Sequence, residues 1–414
     1  MDRSKDCIVG FLADTWWFGL SCRLSELGFR QLATLRRSQG FSAIQLVVGI
    51  PPEVGPENIN AQSPVGFPWT LAGDVNAKYL ALAQDRIQFL NGLGFVVIVY
   101  GAWGHQIEWL GEVGMTAWWL NIIRYLDSLN VIFCLCGESN LWVGEASKLL
   151  PDRSTYNLVE NRVFPKLSLH MKPALAKVRR HLKQRLYKPQ LEQRRKVWSS
   201  VLETISQKTN RPIIVHPTPD ETGYEAVCNP ELLSANTVQT GHTASARNRL
   251  WQLPLAHRNR YPHVGFINLE PWYEGICDQF GTEDQLFAYW ATMLAGAISY
   301  CYGAHGIWNV GDGKFLAHWG KQTFDQALAL DTPRLLGLSH QQYLAWGDFQ
   351  GTVFYQTAGA ELITLSRKQG SKMIQFLPDV ARFKGVPRGK IWLPLQGAFA
   401  SQVPARGPVV VFCE

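Results

Sequence analysis

The sequence predicts an α/β protein: a (β/α)8 TIM barrel followed by a small C-terminal antiparallel β module. Two observations lead to the barrel. Short apolar runs alternate with helical stretches from residue 7 to about residue 345, and eight such runs can be counted. Parallel strands that alternate with helices most often close into a barrel at this chain length. After residue 345, short alternating strands separated by Gly- and Pro-containing turns replace the helices, which indicates the β module.

The eight predicted strands are short and β-branched, as is typical of strands buried on both faces. They cover residues 7–13, 41–49, 94–101, 130–137, 212–218, 236–241, 264–270 and 299–308. The predicted helices cover residues 24–39, 77–92, 116–129, part of 166–208, 244–258, 283–297 and 321–330. We therefore assign residues 1–345 to the barrel and residues 346–414 to a small β domain packed on it.

The connection between predicted strands four and five is unusually long, at about residues 139–211. Residues 166–196 within it contain eleven Lys or Arg residues and one acid, Glu192. Pro189 should interrupt or kink the helix predicted there. One interpretation is contact with nucleic acid or a membrane surface. We favour a solvated helical face outside the barrel, with no specific nucleic acid partner, because no aromatic stacking pattern accompanies the charges.

Composition limits the remaining classes. The net charge is +7 and hydrophobic residues make up 46% of the 414 residues, which suits a full-sized core. The sequence MDRSKD leads directly into the first strand without a signal peptide, and the longest uncharged stretch, 285–311, mixes Gly, Ala, Ser, Tyr and His. The eight Cys residues are scattered without zinc-finger spacing and predict buried free thiols. We expect a cytoplasmic protein with no membrane contact, no metal and no cofactor.

Two glutamates end two of the predicted strands. Glu138 follows strand four and Glu270 ends strand seven. In a closed barrel both carboxyl groups would face the same mouth, where catalytic residues of such barrels lie. Glycoside hydrolysis requires a facing carboxyl pair: one protonates the leaving oxygen, and the other attacks the sugar or activates water. The pair therefore indicates a glycosidase.

Other polar and aromatic residues recur at the predicted strand ends. Any one of them alone is more often a hydrogen-bonded structural residue, but together they could line one mouth. Dipoles and charges that read hydroxyl groups around a hydrophobic floor are what a sugar site requires. We therefore expect a compact pocket for a terminal sugar, with a Trp ring as its floor. The candidates are Asp14, Trp16, Trp17, Trp103, His105, Asn140, His216, His242, His305 and Trp308.

At these residues the chain resembles the apiosidase-like glycoside hydrolases, which in turn resemble the retaining barrel glycosidases with catalytic carboxylates on strands four and seven. The most specific part is the Tyr-Glu-Gly motif at 273–275 followed by YGAHGIW at 302–308. The other resembling segments are FLADTWW (11–17), GFSAIQLVV (40–48), CGESN (136–140), IIVHPT (213–218), VQTGHTA (238–244) and INLEPWYEG (267–275).

The resemblance implies roles for individual residues. Glu138 would be the general acid/base and Glu270 the nucleophile. Asp14, His216, His242, Tyr273, His305 and Trp308 would lie in the pocket. The family often has a Gly-Gly-Asp-type segment where this chain has Cys136-Gly137-Glu138, whose carboxyl is one methylene longer. The resemblance therefore predicts the reaction class and leaves the sugar open.

Two other functions fit parts of the pattern. His216 and His242, at the ends of strands five and six, could serve a metal-dependent amidohydrolase. However, that superfamily also needs His-x-His on strand one and Asp on strand eight, where this chain has Ala-Asp-Thr-Trp and Trp-Asn. The second alternative is a non-catalytic carbohydrate-binding protein on the same barrel, since a fold alone does not fix a function.

Overall fold

The computed structural model describes residues 8–141, 172–347 and 351–414, with side chains from residue 188 onward in the second range. Eight parallel strands form a nearly closed barrel in the order β5-β4-β3-β2-β1-β8-β7-β6, which confirms the predicted TIM barrel. The strands are β1 Leu12–Trp16, β2 Ala43–Val47, β3 Val96–Tyr100, β4 Val131–Cys134, β5 Ile213–Ile214, β6 Asn236–Gln239, β7 Phe266–Glu270 and β8 Ser299–Tyr302.

Helices surround these strands and bury the outer faces of the barrel. They are α1 Glu26–Ser38, α2 Ala77–Gly92, α3 Ile107–Leu126, α4 Lys172–Ser206, α5 Arg249–Arg260, α6 Thr282–Ala295, α7 Phe324–Leu328 and α8 Thr332–Trp346. Helix α6 shows why the sequence folds in this way. Two acids, Glu283 and Asp284, lie in its first turn, and Gly296 follows its last residue with a φ of 128°. Both features stabilise helix ends.

The barrel has one weak seam, between β5 and β6. Strand β5 contains only two ladder residues and pairs with β4, while β6 pairs with β7. Backbone and side-chain bonds bridge the seam instead. The Ser234 amide donates to the Ile213 carbonyl over 2.8 Å, and the Thr237 hydroxyl donates to the Val215 carbonyl.

Strand β1 lies further along the chain than the sequence predicted. Residues 7–13 were expected to form it, but the strand starts at Leu12 because the chain turns at Gly10, which has a φ of 75°. Asp14 is therefore in the middle of a strand. This placement decides which side of the barrel wall its carboxylate faces.

Helix α4 belongs to the long connection between β4 and β5, of which residues 142–171 lie outside the described residues. The helix continues through Pro189, so the predicted interruption is wrong, while a kink at Pro189 stays a prediction. Its C-terminal half is anchored by Trp198, Leu202 and Ile205, which are buried. The Trp198 indole donates to the Gly104 carbonyl over 2.9 Å. Such anchors outweigh the one hydrogen bond that a proline removes.

The C-terminal residues form a six-stranded antiparallel sheet in the order β13-β12-β14-β11-β10-β9. Its strands are β9 Thr352–Ala358, β10 Glu361–Gln369, β11 Lys372–Leu377, β12 Lys390–Leu393, β13 Ala398–Ala400 and β14 Val409–Cys413. Arg367 of β10 donates to the carbonyls of Met293 and Leu294 at the end of α6. The sheet therefore contacts the barrel, while the domain boundary at residue 345 stays a prediction.

Cysteine placement differs in part from the prediction. Cys134, Cys136 and Cys301 are buried, but Cys22, Cys228 and Cys277 are exposed because they lie in loops and turns rather than in the barrel wall. All seven described cysteines are free thiols. No helix within the described ranges is both long and apolar enough to cross a membrane.

Candidate active site

Glu270 is the buried centre of the site. It is the last residue of β7, and its Oε1 accepts hydrogen bonds from Gln239 Nε2 at 2.7 Å and from His242 Nε2 at 2.6 Å. Because a carboxylate only accepts, the His242 proton facing it lies on Nε2. The other oxygen, Oε2, lies 3.5 Å from His216 Nε2. Three polar side chains from the ends of β5 and β6 therefore surround this carboxylate.

These neighbours determine the charge of Glu270. Burial alone would raise the pKa of its carboxyl group, but the hydrogen bond and charge of His242, the electrostatic effect of His216 and the Gln239 amide outweigh burial, so the pKa lies below its usual value. Burial lowers the pKa of His216 to about 4, even though Glu270 acts in the opposite direction. At neutral pH the site therefore holds an ionised Glu270 next to an uncharged His216.

Glu138 lies at the same mouth, just after β4. Its Oε2 accepts a hydrogen bond of 3.0 Å from the Trp103 indole. The preceding residue must be small, because a Cβ on Gly137 would lie 2.6 Å from the Trp103 ring. Glu138 itself has a φ of 43°, in the left-handed region that non-glycine residues rarely adopt. Local backbone strain of this kind is found most often at functional sites.

Two rings connect the glutamates. The Trp103 ring, bonded to Glu138, meets the His216 ring edge-on, with centroids 6.3 Å apart. His216 in turn faces Glu270. Trp17 packs edge-on against Trp103 at a centroid distance of 5.2 Å and extends this aromatic wall. The two carboxyl groups are thus linked through contacts of Trp103 with His216.

Aromatic residues from the β7 and β8 loops form the opposite side. The Tyr273 ring lies 4.8 Å from the His242 ring, and Trp308 packs against Tyr273 at 6.3 Å. His305 contacts Trp308 at 5.7 Å and bonds the Gly320 carbonyl through Nε2 over 2.7 Å. Burial lowers the pKa of His305 to about 4, although the Gly320 carbonyl acts in the opposite direction. His305 is therefore uncharged at neutral pH, and its ring packs against Trp308.

Comparison with known protein families identifies the group to which this architecture belongs. Residues 8–341 match the family model described as the Apiosidase-like catalytic domain. The chain belongs to the apiosidase-like family. It is accordingly a glycoside hydrolase with a carbohydrate substrate, and the amidohydrolase alternative is wrong. A search of curated proteins found no significant match.

Solved structures show the same fold as this apiosidase-like enzyme. A glycoside hydrolase superimposes with a TM-score of 0.68 at 13% identity, over 97% of this chain and 92% of its own. A glycoside hydrolase family 5 protein from Bacteroides vulgatus gives 0.68 at 14% identity, over 97% and 88%. A putative glycoside hydrolase from the same organism gives 0.54 at 12% identity, over 98% and 78%. At such identities the likeness concerns the fold alone.

Two predicted pocket residues of the apiosidase-like enzyme belong to β1 but have side chains on the outer face of the barrel. Asp14 is fully buried and pairs with Arg36 of α1, with 2.6 Å between Oδ2 and Nε. Trp16 donates to the same carboxylate over 2.8 Å and packs edge-on against Phe29 of α1. Successive side chains of a strand face opposite sides, so Thr15 points inward while Asp14 and Trp16 point outward. The pocket assignment of Asp14 and Trp16 is wrong.

Other predicted residues occupy the edge of the mouth. Asn140 accepts a hydrogen bond of 2.7 Å from the Thr218 amide and so joins the β4 and β5 loops. His105 lies in the helical turn after β3 and packs edge-on against Trp109, with centroids 5.0 Å apart. Trp272, two residues beyond the end of β7, stacks on Phe280 with ring centroids 4.6 Å apart. Direct contact of Asn140 and His105 with sugar stays a prediction.

The sequence did not single out two glutamines that shape the site. Gln239 contacts Glu270 directly. Gln45 on β2 donates a hydrogen bond of 3.0 Å to the carbonyl of Leu269, the residue before Glu270. It also accepts a hydrogen bond of 2.6 Å from the Tyr100 hydroxyl. A glutamine inside an apolar strand run is an unusual buried amide, and this was the available signal. No group of three or more His, Cys, Asp or Glu residues suited to a metal occurs in the described ranges.

Proposed function

We propose that this enzyme removes a terminal sugar from a glycan or glycoside with retention of configuration, using Glu138 as acid/base and Glu270 as nucleophile. One observation carries the proposal. Glu270 ends β7 with a lowered pKa and two donors on one oxygen, while Glu138 follows β4 and reaches the same His216 through Trp103. A charged carboxylate and a second carboxyl at one mouth are what the retaining mechanism needs.

The reaction has two steps. In the first, a Glu270 oxygen forms a bond to the anomeric carbon while the bond to the leaving oxygen breaks, and Glu138 gives that oxygen its proton. In the second, Glu138 takes a proton from water, whose oxygen attacks the anomeric carbon and releases Glu270. Glu138 must therefore hold a proton near neutral pH, so we predict a raised pKa for its carboxyl group.

Retention makes a geometric prediction. The carboxyl oxygens of Glu138 and Glu270 should lie about 5–5.5 Å apart in the sugar complex, whereas about 6.5–9.5 Å would indicate inversion. A crystal structure with a trapped sugar measures this separation. The configuration of the first product, followed by NMR on an aryl glycoside, tests the same point independently.

A panel of aryl glycosides tests the assignment of the two residues. Glu270→Gly should lose at least about 10³-fold in kcat, since the nucleophile is absent. Added azide should restore turnover, with an inverted glycosyl azide as the product. Glu203→Gln, on the exposed face of α4, is the matched control and should behave like the natural enzyme. Full activity in Glu270→Gly would remove the nucleophile assignment.

The remaining sequence expectations stay proposals. Sugar binding by calorimetry without turnover on any substrate would favour a non-catalytic binding protein. We also propose a cytoplasmic location, supported by the free thiols at all seven described cysteines. Cell fractionation tests this.

For the basic helix we expect no submicromolar, salt-sensitive binding of DNA or RNA, which fluorescence anisotropy measures.

A further inference from the structure

An irregularity between β6 and β7 positions one side chain of the site. Val238 pairs with Asn268, but the next residue, Gln239, pairs with Glu270, so the register slips by one residue past Leu269. Residues paired in parallel strands point to the same side of the sheet. The slip therefore turns Gln239 into the barrel, next to the carboxylate. Such irregularities commonly re-aim a side chain next to an active site.

Hydrogen bonds around the carboxylate are unequally distributed. Oε1 accepts from both Gln239 and His242, whereas Oε2 has no hydrogen-bond partner in the described part of the chain. We propose that Gln239 is a positioning residue which, by holding Oε1, makes Oε2 the atom that attacks the sugar. This inference deepens the proposed function and rests on Glu270 being the nucleophile. An oxygen that already accepts two hydrogen bonds is a weaker nucleophile than one that accepts none.

Gln239 and His242 differ as donors. The Gln239 amide is buried and cannot titrate, so it donates at every pH. The His242 side chain is 13% exposed, so its ring is in contact with solvent. Gln239 is thus the donor that keeps Oε1 occupied under all conditions. The amide must present Nε2, because its oxygen would repel the carboxylate.

Other titratable groups also face Glu270. They are His216 after β5, His242 after β6, Tyr273 after β7, Cys301 on β8 and Tyr100 on β3. Burial raises the pKa of Tyr100, Tyr273 and Cys301 well above their usual values, so these three remain uncharged in the working range. A change in the titration of Glu270 after substitution of Gln239 would therefore not come from them.

Three variants test the inference. Gln239→Leu removes the donor, and Gln239→Glu replaces it with a second carboxylate. Asn268→Leu is the matched control, since Asn268 is also a buried amide of this strand pair but bonds Thr240. The carboxyl signal of Glu270 is followed through a pH titration by ¹³C NMR, with Glu270→Gln used to assign it. This measurement requires no turnover.

The expected results are specific. In Gln239→Leu, the pKa of Glu270 should rise by about one pH unit. The acid limb of kcat/KM on an aryl glycoside should move upward by the same amount, with kcat about tenfold lower. In Gln239→Glu the shift should be larger, because like charges cannot share the site. In Asn268→Leu the pKa should not change.

Two results would overturn the inference. One is an unchanged Glu270 titration in Gln239→Leu, and the other is a trapped glycosyl-enzyme whose sugar is attached through the oxygen facing Gln239. If Gln239→Leu does not fold, the oxygen that carries the sugar in a trapped glycosyl-enzyme of the unaltered protein gives the test. Failure of the proposed function would be recognised differently. In that case Glu270→Gln would keep its turnover, whatever the titration shows.

Discussion

The indole of Trp103 donates a hydrogen bond of 3.0 Å to Oε2 of Glu138, the residue that we assign as acid/base. The ring itself is buried between Trp17 and His216 and cannot easily rotate. A donor fixed in this way holds the carboxyl group in one orientation. Orientation is what a proton donor needs, since misplacement by about 1 Å can cost 10²-fold in rate.

Replacement of Trp103 separates this hydrogen bond from the packing of the ring. Trp103→Phe keeps an aromatic side chain and removes the N–H group, so kcat/KM should fall about tenfold with a small change in melting temperature. Trp103→Ala should lose both and destabilise the fold by about 3–5 kcal/mol. Steady-state kinetics and thermal denaturation measure the two effects. Undiminished kcat/KM in Trp103→Phe would show that the hydrogen bond does not orient Glu138.

Asp14 should matter for stability and not for substrate binding. Its carboxylate is paired with Arg36 outside the barrel wall, where both side chains are fully buried. Asp14→Asn leaves an uncompensated guanidinium, so the free energy of unfolding should fall by about 3–5 kcal/mol. KM of the folded fraction should remain the same. A raised KM with normal stability would return Asp14 to the pocket.

Stability should fall in acid because of buried neutral histidines. Burial lowers the pKa of His340 to about 4, although its bond to the Gly10 carbonyl acts in the opposite direction, and the Tyr289 hydroxyl contacts its other ring nitrogen. The unfolded chain therefore binds more protons than the folded chain between about pH 6.5 and 4. Stability is complete above that window and is lost as the pH falls through it, by up to about 3 kcal/mol for this residue.

His340 is far from the glutamates in the chain and gives a clean measurement. His340→Gln keeps a polar side chain without a titrating group, so the pH dependence of its unfolding free energy should be shallower than in the natural enzyme. Urea denaturation at several values between pH 7 and pH 4 provides the slopes. Equal slopes in the two proteins would mean that the folded state does not suppress protonation of His340.

Trp308 should contribute to sugar binding. It packs between Tyr273 and His305, and its Nε1 has no hydrogen-bond partner in the described part of the chain. Trp308→Ala should raise KM by up to about tenfold, since an aromatic contact contributes about 0.5–1.5 kcal/mol. Trp272→Phe is the control, because the buried Trp272 ring stacks on Phe280 and a Phe ring keeps that packing. Equal KM values for both variants would remove Trp308 from the pocket.

The barrel and its two glutamates could be predicted because both depend on local patterns. Apolar runs of strand length that alternate with helices indicate the fold. Glu138 and Glu270 come directly after such runs, so their position at the mouth follows from topology. The side-chain contacts that set the charge of Glu270 do not follow, since they require residues from three strands to meet.

The errors have equally definite causes. The sequence predicted that β1 ends at residue 13, which put Asp14 at the strand end. In the structure β1 starts at Leu12, so Asp14 lies within the strand, and the two-residue period of the strand turns its side chain to the outer face of the barrel. Gln239 was overlooked because the slip opposite Leu269 leaves no trace in the order of apolar residues. Pro189 suggested a break in α4, but the buried Trp198 and its neighbours hold the helix in place.

The short ladder at the seam between β5 and β6 has a consequence for how the molecule opens. Native proteins fluctuate by releasing their least supported segments first, and amide hydrogen exchange reports these events. The seam is held by isolated bonds, such as the one from Ser234 to Ile213, and the two strands it separates carry His216 and His242 just beyond their ends. A transient breach there would separate Glu270 from His216, while β6 stays paired with β7 and keeps His242 at the carboxylate. The electrostatic surroundings of Glu270 would thus change well before the barrel unfolds.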